Sequence, residues 1–198
     1  MLKIGEDPIA SLSETTKRAR VCSALYDEKR KELLTSHRWV FSIGRASLAL
    51  LASAPAFGFT YQFTLPTDCL RVLGVYDPNQ GLHQYTATNR IWKVESGKFL
   101  YTDDSVNIFY IRDVETVPDF DPLFDTALAL RIAMDAAYAL GNGQSRIPQL
   151  AQDFERTLRE AKKINAMIGT PETIEVTEWL DSRDFDDTDF PSRIGPVA

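Results

Sequence analysis

The chain has 198 residues, and its 22 Lys and Arg against 28 Asp and Glu give a formal net charge of −6. Residues 170–198 hold eight acidic and two basic residues, so they account for the whole −6 and residues 1–169 are neutral. This balance argues against a general attraction to nucleic acid, because such binding needs clustered excess positive charge. With 44% hydrophobic and 11% aromatic residues, the composition is typical of a folded protein rather than a disordered one.

The sequence contains no targeting signal that we identify. No apolar run approaches the roughly 18 residues of a transmembrane helix, and the first residues are too polar for a signal peptide. Cys22 and Cys69 are not spaced as a metal or redox motif, which predicts two reduced, partly buried thiols. We therefore expect the protein to be made and used in a cytoplasm.

An irregular lead-in over residues 1–12 is predicted to precede the first helix. Ser13 is predicted to cap a helix from about Glu14 to Ser36. One narrow face of this helix is apolar and the rest is basic. Acidic residues are interleaved with the basic ones, which favours a solvated or salt-bridged face over contact with an acidic protein partner or nucleic acid. The basic residues are Lys17, Arg18, Arg20, Lys29, Arg30 and Lys31.

The middle of the chain is predicted to be an antiparallel sheet of five or six short strands. Apolar and polar residues alternate there with a period of two. A hairpin is predicted around a four-residue turn, Glu95-Ser96-Gly97-Lys98. The candidate strands cover residues 39–43, 59–65, 70–76, 90–94, 99–102 and 106–111, and residues 46–51 are a short apolar stretch after the first of them.

Two long helices are predicted next. Asp121 caps the first, Pro122 occupies its first position, and it runs to about Leu140 with Gly141 closing it. It is apolar on most faces and rich in alanine, which predicts a position at the centre of a bundle or buried in an oligomer. We assign subunit packing to its residues Phe124, Leu128, Ala133 and Ala137. The second helix starts at Gln144 or Ser145 and ends near Ile168.

Residues 170–198 form an acidic segment, here called the arm, with isolated large apolar residues and no helical period. Two interpretations remain open: a disordered solubilising tail, or an arm that docks on another chain. Spaced aromatic residues favour docking. The predicted docking residues are Trp179, Leu180, Phe185 and Phe190.

The predicted fold class is therefore α+β, a helical bundle with an inserted antiparallel β domain and an extended C-terminal arm. The segments are an N-terminal lead-in and bundle helix over 1–37, the β domain over 38–116, two bundle helices over 117–169 and the arm over 170–198.

No catalytic, metal or cofactor site is predicted. His37 is expected at the end of the first helix, where a cationic imidazole suits the helix dipole, and His83 is expected in a polar loop. Neither has a second ligand at metal spacing. Residues 141–145 resemble a phosphate loop only superficially, because they follow a helix and lack the Gly-Lys-Ser/Thr ending.

Two pairs of carboxylates are interpreted as structural. Asp103 and Asp104 are expected in a turn between strands. Asp119 and Asp121 flank a helix start, where negative charge is favoured without any catalysis.

Several short blocks in a fixed order resemble the tail tubular or head–tail adaptor (connector) proteins of short-tailed bacteriophages. These blocks are Ile4-Gly5-Glu6-Asp7-Pro8-Ile9-x-Ser11-Leu12, Ala19-Arg20-x-Cys22 with Tyr26, Leu33-Leu34-x-x-His37-x-Trp39-x-Phe41, Tyr61-x-Phe63-x-Leu65-Pro66-x-Asp68-Cys69-Leu70-Arg71-Val72, and Phe120-Asp121-Pro122-Leu123-Phe124. The chain departs from the family pattern before Ile4, where a fuller helix is expected, and the arm is not covered.

The resemblance implies a non-enzymatic virion protein with a helix bundle and an inserted β domain. Such adaptors form a ring, typically of twelve subunits, between the portal and the tail nozzle, and DNA passes through the bore without sequence-specific binding. Two other functions remain as alternatives. One is a virion-associated cell-wall hydrolase that uses Asp103, Asp104 and Asp119, and the other is a host-encoded binding module.

Overall fold

A computed structural model of the chain describes residues 2–77, 81–84, 92–141 and 143–169. It combines long helices with two antiparallel sheets, which confirms a mixed α+β protein. The helices are α1 (Lys17–Ser36), α2 (Pro122–Leu140) and α3 (Ile147–Ile168). Four 3-10 turns cover Leu2–Ile4, Val40–Ser42, Val117–Asp119 and Gln144–Arg146.

The start of α1 differs from the prediction. Thr16, not Ser13, caps the helix, and its hydroxyl accepts from the Ala19 N–H at 3.3 Å. The Ser13 hydroxyl lies 2.7 Å from that of Ser11 instead. Ser13 therefore belongs to a turn of the lead-in. The helix begins at Lys17, three residues after the predicted start at Glu14.

The boundaries of α2 are as predicted. The Asp121 carboxylate accepts from the Leu123 N–H at 2.9 Å, Pro122 is the first residue, and Gly141 closes the helix with a left-handed φ of 75°. The start of α3 is different, because residues 144–146 form a 3-10 turn and no side chain caps the helix. Gly143 precedes that turn, and a Cβ there would lie 2.9 Å from the Ile4 carbonyl oxygen, so glycine lets the lead-in pack closely.

Between α1 and α2, the described residues form eight strands in two four-stranded sheets. The first sheet has the order β1-β8-β4-β5 and the second has the order β2-β3-β7-β6, and every pairing is antiparallel. The strands are β1 (Ile43–Ser47), β2 (Ala49–Leu50), β3 (Tyr61–Thr64), β4 (Cys69–Asp77), β5 (Gly81–Gln84), β6 (Trp92–Glu95), β7 (Lys98–Tyr101) and β8 (Asn107–Arg112).

Two local predictions in this region were wrong. Residues 40–42 form a 3-10 turn rather than a strand, because Trp39 and Ser42 are both buried and the Ser42 hydroxyl donates to the Trp39 carbonyl at 2.9 Å. Strand β5 was not predicted, and it contains His83, which was expected in a loop. The predicted hairpin is confirmed: Glu95 pairs with Lys98, and Ser96 and Gly97, both with positive φ, are the central residues of the four-residue turn.

The core consists of three apolar clusters. The first joins the helices to one end of the first sheet and contains Leu33, Leu34, Trp39, Ile111, Val114, Phe120, Phe124, Ala127, Leu128 and Ala161. The second lies between the two sheets and contains Phe63, Val75, Trp92, Phe99, Val106, Ile108 and Tyr110. The third packs the lead-in and α3 on α2 and contains Ile4, Leu130, Ala133, Ala136, Ala137 and Leu150.

The four residues assigned to subunit packing are buried inside the single chain. Phe124 and Ala137 are 0% exposed, Leu128 is 2% and Ala133 is 5%. Helix α2 packs against both α1 and α3, so much of its apolar surface is covered by the chain's own elements.

Candidate functional site

The carboxylates that a cell-wall hydrolase would need do not lie together. Asp103 and Asp104 occupy an exposed loop before β8, whereas Asp119 lies in a 3-10 turn after that strand. β8 has six residues, so its two ends are roughly 17 Å apart at about 3.3 Å per residue. Glycosidase carboxylates flank one bond at about 5 to 9.5 Å, and Asp119 does not form such a pair with the other two.

A polar cavity of about 490 Å³ lies at the carboxyl end of β8, and the sequence did not predict it. Two of its carboxylates have partners, since Asp113 binds Arg30 and Asp68 accepts from the Tyr110 hydroxyl at 3.2 Å. No metal-binding group of three His, Cys, Asp or Glu residues occurs in the part of the chain that the structure describes. The cavity residues are Lys31, Thr67, Asp68, Arg112, Asp113, Val114, Glu115, Thr116 and Asp119.

His37 ends α1 as predicted, but its environment does not favour a cation. Burial and the positive charges of Lys162, Arg71 and Arg38 lower the pKa of the imidazole below its ordinary value. The ring also packs edge-on against Trp39 at 4.9 Å between centroids. The expected interaction of an imidazolium with the helix dipole is therefore not the role of this residue.

Several of the basic residues of α1 are ion-paired, which confirms the salt-bridged interpretation for them. Arg18 contacts Glu6 and Asp7 of the lead-in at 3.1 and 3.0 Å. Lys29 and Arg30 are not on an exposed face as expected, since they are only 7% and 2% exposed. Lys29 contacts Glu28, Glu32 and Asp135, and Arg30 contacts Asp27, Asp113 and Glu115. These charges hold α1 to its surroundings rather than offering a surface for phosphates.

The first candidate docking surface is an apolar groove of about 430 Å³ between the lead-in, α1 and α2, here called the amino-terminal groove. Small side chains of α2 leave this space open, and burial raises the pKa of both the Cys22 thiol and the Tyr26 phenol. Lys3 is its one charged residue. The groove is lined by Lys3, Pro8, Ile9, Leu12, Cys22, Tyr26, Ala129, Ile132, Ala133 and Ala136.

The second candidate docking surface lies at the end of α3, and we call it the α3 end patch. It consists of Val40, Ile164, Met167 and Ile168, which are 38%, 41%, 71% and 59% exposed. Ile168 continues the apolar spacing of Phe154, Leu158 and Ala161 along α3, but the helix runs past the core there and the Ile168 side chain is not buried.

Asn165 holds the α3 end patch against the segment that joins α1 to β1. Its Oδ1 accepts from the Val40 N–H at 2.8 Å, and its Nδ2 donates to the Arg38 carbonyl at 2.8 Å. The same Nδ2 lies 3.2 Å from Nε2 of His37. The last turns of α3 are thus tied to the junction between α1 and β1, and no sequence signal pointed to this contact across the chain.

The predicted docking residues Trp179, Leu180, Phe185 and Phe190 lie outside the residues that the structure describes. None of the described helices is long and apolar enough to cross a membrane. No protein-family model matches the chain, and a search of curated proteins found no matching relative.

Proposed function

We propose that this chain is a structural subunit of the head–tail adaptor of a short-tailed phage. It would form a ring, of about twelve copies by analogy with the resemblance, between portal and tail nozzle in the virion. The observation that carries the proposal is the placement of both sheets between α1 and α2, while α2 packs against both α1 and α3. We treat the three helices as a helical bundle with an inserted β domain, which is the architecture that the resemblance implies.

Residues of the resembling blocks have structural roles that support this proposal. Ile4 of the first block is 3% exposed and packs on α2, and Trp39 of the third block is 1% exposed in the core of the helices. Asp121 of the last block caps α2. These roles explain why such residues recur in that order in a protein of this architecture.

The surface properties also suit a ring around DNA. Residues 1–169 have no net charge. Because basic residues of α1 are buried or ion-paired, little excess positive charge remains to bind the phosphate backbone of DNA. A ring needs a heterologous contact between two different faces of each subunit. The amino-terminal groove and the loop that exposes Phe57 to 87% are apolar features of the kind that such contacts use.

The test is assembly with the portal protein encoded in the same genome. Purified chain and portal rings are mixed, and the mass of the complex is measured by analytical ultracentrifugation. We expect about twelve copies of this chain per portal ring. Absence of any complex with an intact portal ring would overturn the adaptor proposal.

The arm is assigned to portal contact within the same proposal, through the four residues named above. A variant lacking residues 172–198 provides the matched control, because its body is unchanged. We expect it to bind portal more weakly than the full chain. Unchanged assembly of that variant would show that the arm does not contact portal, and it would not contradict the formation of the ring.

A further inference from the structure

The α3 end patch is an apolar surface that the described part of the chain leaves uncovered. Ile164, Met167 and Ile168 follow the spacing i, i+3 and i+4, so they form one stripe along the last turns of the helix. Val40 adjoins them, since its Cγ2 lies 3.7 Å from the position that a Cβ on Gly169 would take. Exposed apolar side chains that adjoin one another are typical of a binding surface rather than of ordinary solvent-facing helix.

Basic residues lie on either side of this patch, and one acidic residue, Glu160, lies one turn before Ile164 on the same stripe. Lys162 and Lys163 lie on the same turns of α3, and Lys162 and Arg71 both act electrostatically on the His37 ring that Asn165 contacts. Among the described residues, Lys162, Lys163 and Arg71 have no carboxylate within ion-pair distance. A matching ligand would therefore combine apolar side chains with negative charge.

We propose that the α3 end patch is the docking surface for residues 172–190 of the same chain. This segment has the required chemistry, because it holds eight acidic residues and one arginine together with Trp179, Phe185 and Phe190. Its aromatic side chains would cover Met167 and Ile164, and its carboxylates would face the lysines beside them.

The connectivity favours the chain's own arm over any free partner. Trp179 follows Ile168 by only eleven positions, which spans at most about 40 Å when fully extended. A connection of this length holds the arm near the patch at an effective concentration of about millimolar. A separate ligand would have to exceed that concentration, or bind more tightly, to displace the arm.

The inference goes beyond the adaptor proposal and does not depend on it. In an adaptor, this surface would hold the arm until portal takes it. The experiment below contains no portal, so its failure leaves the adaptor proposal unaffected, and failure of the portal experiment leaves this inference unaffected.

Quenching of tryptophan fluorescence by acrylamide tests the inference in the full chain. Trp39 and Trp92 are 1% and 6% exposed, so the quenchable signal reports Trp179, and a Trp179→Phe variant gives the background to subtract. The decisive variant is Ile164→Asp/Met167→Asp, which changes two exposed positions. Val117→Asp/Tyr138→Asp is the matched control, because it adds the same two charges at positions that are 50% and 77% exposed and lie outside the patch.

We expect the quenching constant of Trp179 to be at least threefold below that of N-acetyltryptophanamide in the native chain. It should rise toward that reference in the Ile164→Asp/Met167→Asp variant and stay low in Val117→Asp/Tyr138→Asp, with all variants showing the circular dichroism of the native fold. Reversing the charge at Lys162 and Lys163 to glutamate should raise it part of the way. A native constant equal to the reference, or no response to the double variant, would overturn the proposal.

Protein concentration separates the chain's own arm from that of a second copy. Docking within one chain predicts a quenching constant that is unchanged over a hundredfold range of concentration, with a monomer mass throughout. Protection that increases with concentration together with a dimer mass would overturn the assignment to the same chain.

Discussion

Removal of Asp113 is expected to destabilise the fold more than removal of Arg30, although the two residues form one ion pair. The Arg30 Nη1 donates to the Asp113 carboxylate at 2.6 Å and to the Val114 carbonyl at 2.7 Å. The two side chains are 2% and 10% exposed, and Nε of Arg30 has no hydrogen-bond partner among the described residues. The positive charge of the buried guanidinium is therefore balanced mainly by the Asp113 carboxylate.

The magnitudes follow from what each substitution leaves behind. Asp113→Ala leaves a permanently charged group buried without its main partner, which costs about 3 to 5 kcal/mol. Asp27 and Glu115 remain at 3.3 and 3.9 Å, but they are 74% and 79% exposed. Solvent screens such partners, so we expect a loss of about 3 kcal/mol.

Arg30→Met should cost less, about 1 kcal/mol, because it removes the buried charge and keeps apolar volume. Asp113 then retains Lys31, whose Nζ lies 3.4 Å from its carboxylate. The double variant Arg30→Met/Asp113→Ala should resemble Arg30→Met alone, since the carboxylate has lost its main function once the guanidinium is gone.

Urea unfolding followed by circular dichroism measures these differences. With a slope of about 2 kcal/mol per molar urea, Asp113→Ala should lower the midpoint by about 1.5 M and Arg30→Met by about 0.5 M. The reasoning would be refuted if Arg30→Met cost more than Asp113→Ala. A double variant that loses the sum of the two single effects would refute it as well, because the residues would then act independently.

Two further predictions concern the ends of α1. Thr16→Ala should lower the free energy of unfolding by about 1 kcal/mol through loss of the helix cap, whereas Ser13→Ala should change it by less than about 0.5 kcal/mol; equal effects in urea unfolding would contradict the assignment of the cap. The lowered pKa of His37 means that the folded state binds this proton less tightly than the unfolded state. Its contribution is therefore complete above the unfolded pKa of about 6.5 and is lost as the pH falls through the folded-state pKa. His37→Gln should remove this part of the acid dependence of stability; an acid dependence equal to that of the native chain would contradict the assignment to His37.

The elements that local chemistry specifies could be predicted from the sequence. Asp121, Pro122 and Gly141 lie next to one another or at a helix end, so the boundaries of α2 follow from capping rules alone. Trp39 shows where such rules fail. Its alternation with Phe41 indicates a strand, yet packing of the indole into the core of the helices imposes a 3-10 turn, and tertiary packing overrides the local pattern.

Contacts between distant positions could not be predicted from one sequence. Arg30 and Asp113 are 83 positions apart, and Asn165 and Val40 are 125 positions apart. The apolar residues of α2 were recognised, but their period does not distinguish burial within the chain from burial between chains. The α3 end patch could not be predicted for a similar reason. Ile168 continues the apolar spacing of the buried residues of α3, although it lies beyond the end of the core.

Strand β8 belongs to two of the apolar clusters at once. Ile108 and Tyr110 point into the cluster between the sheets, and Ile111 points into the cluster beneath the helices. Its neighbours β1 and β4 pair with it on both sides. A mechanical load applied to the sheets would therefore reach the helices through β8, the central strand of the antiparallel set β1-β8-β4. Backbone hydrogen bonds along both edges of β8 would resist shear together.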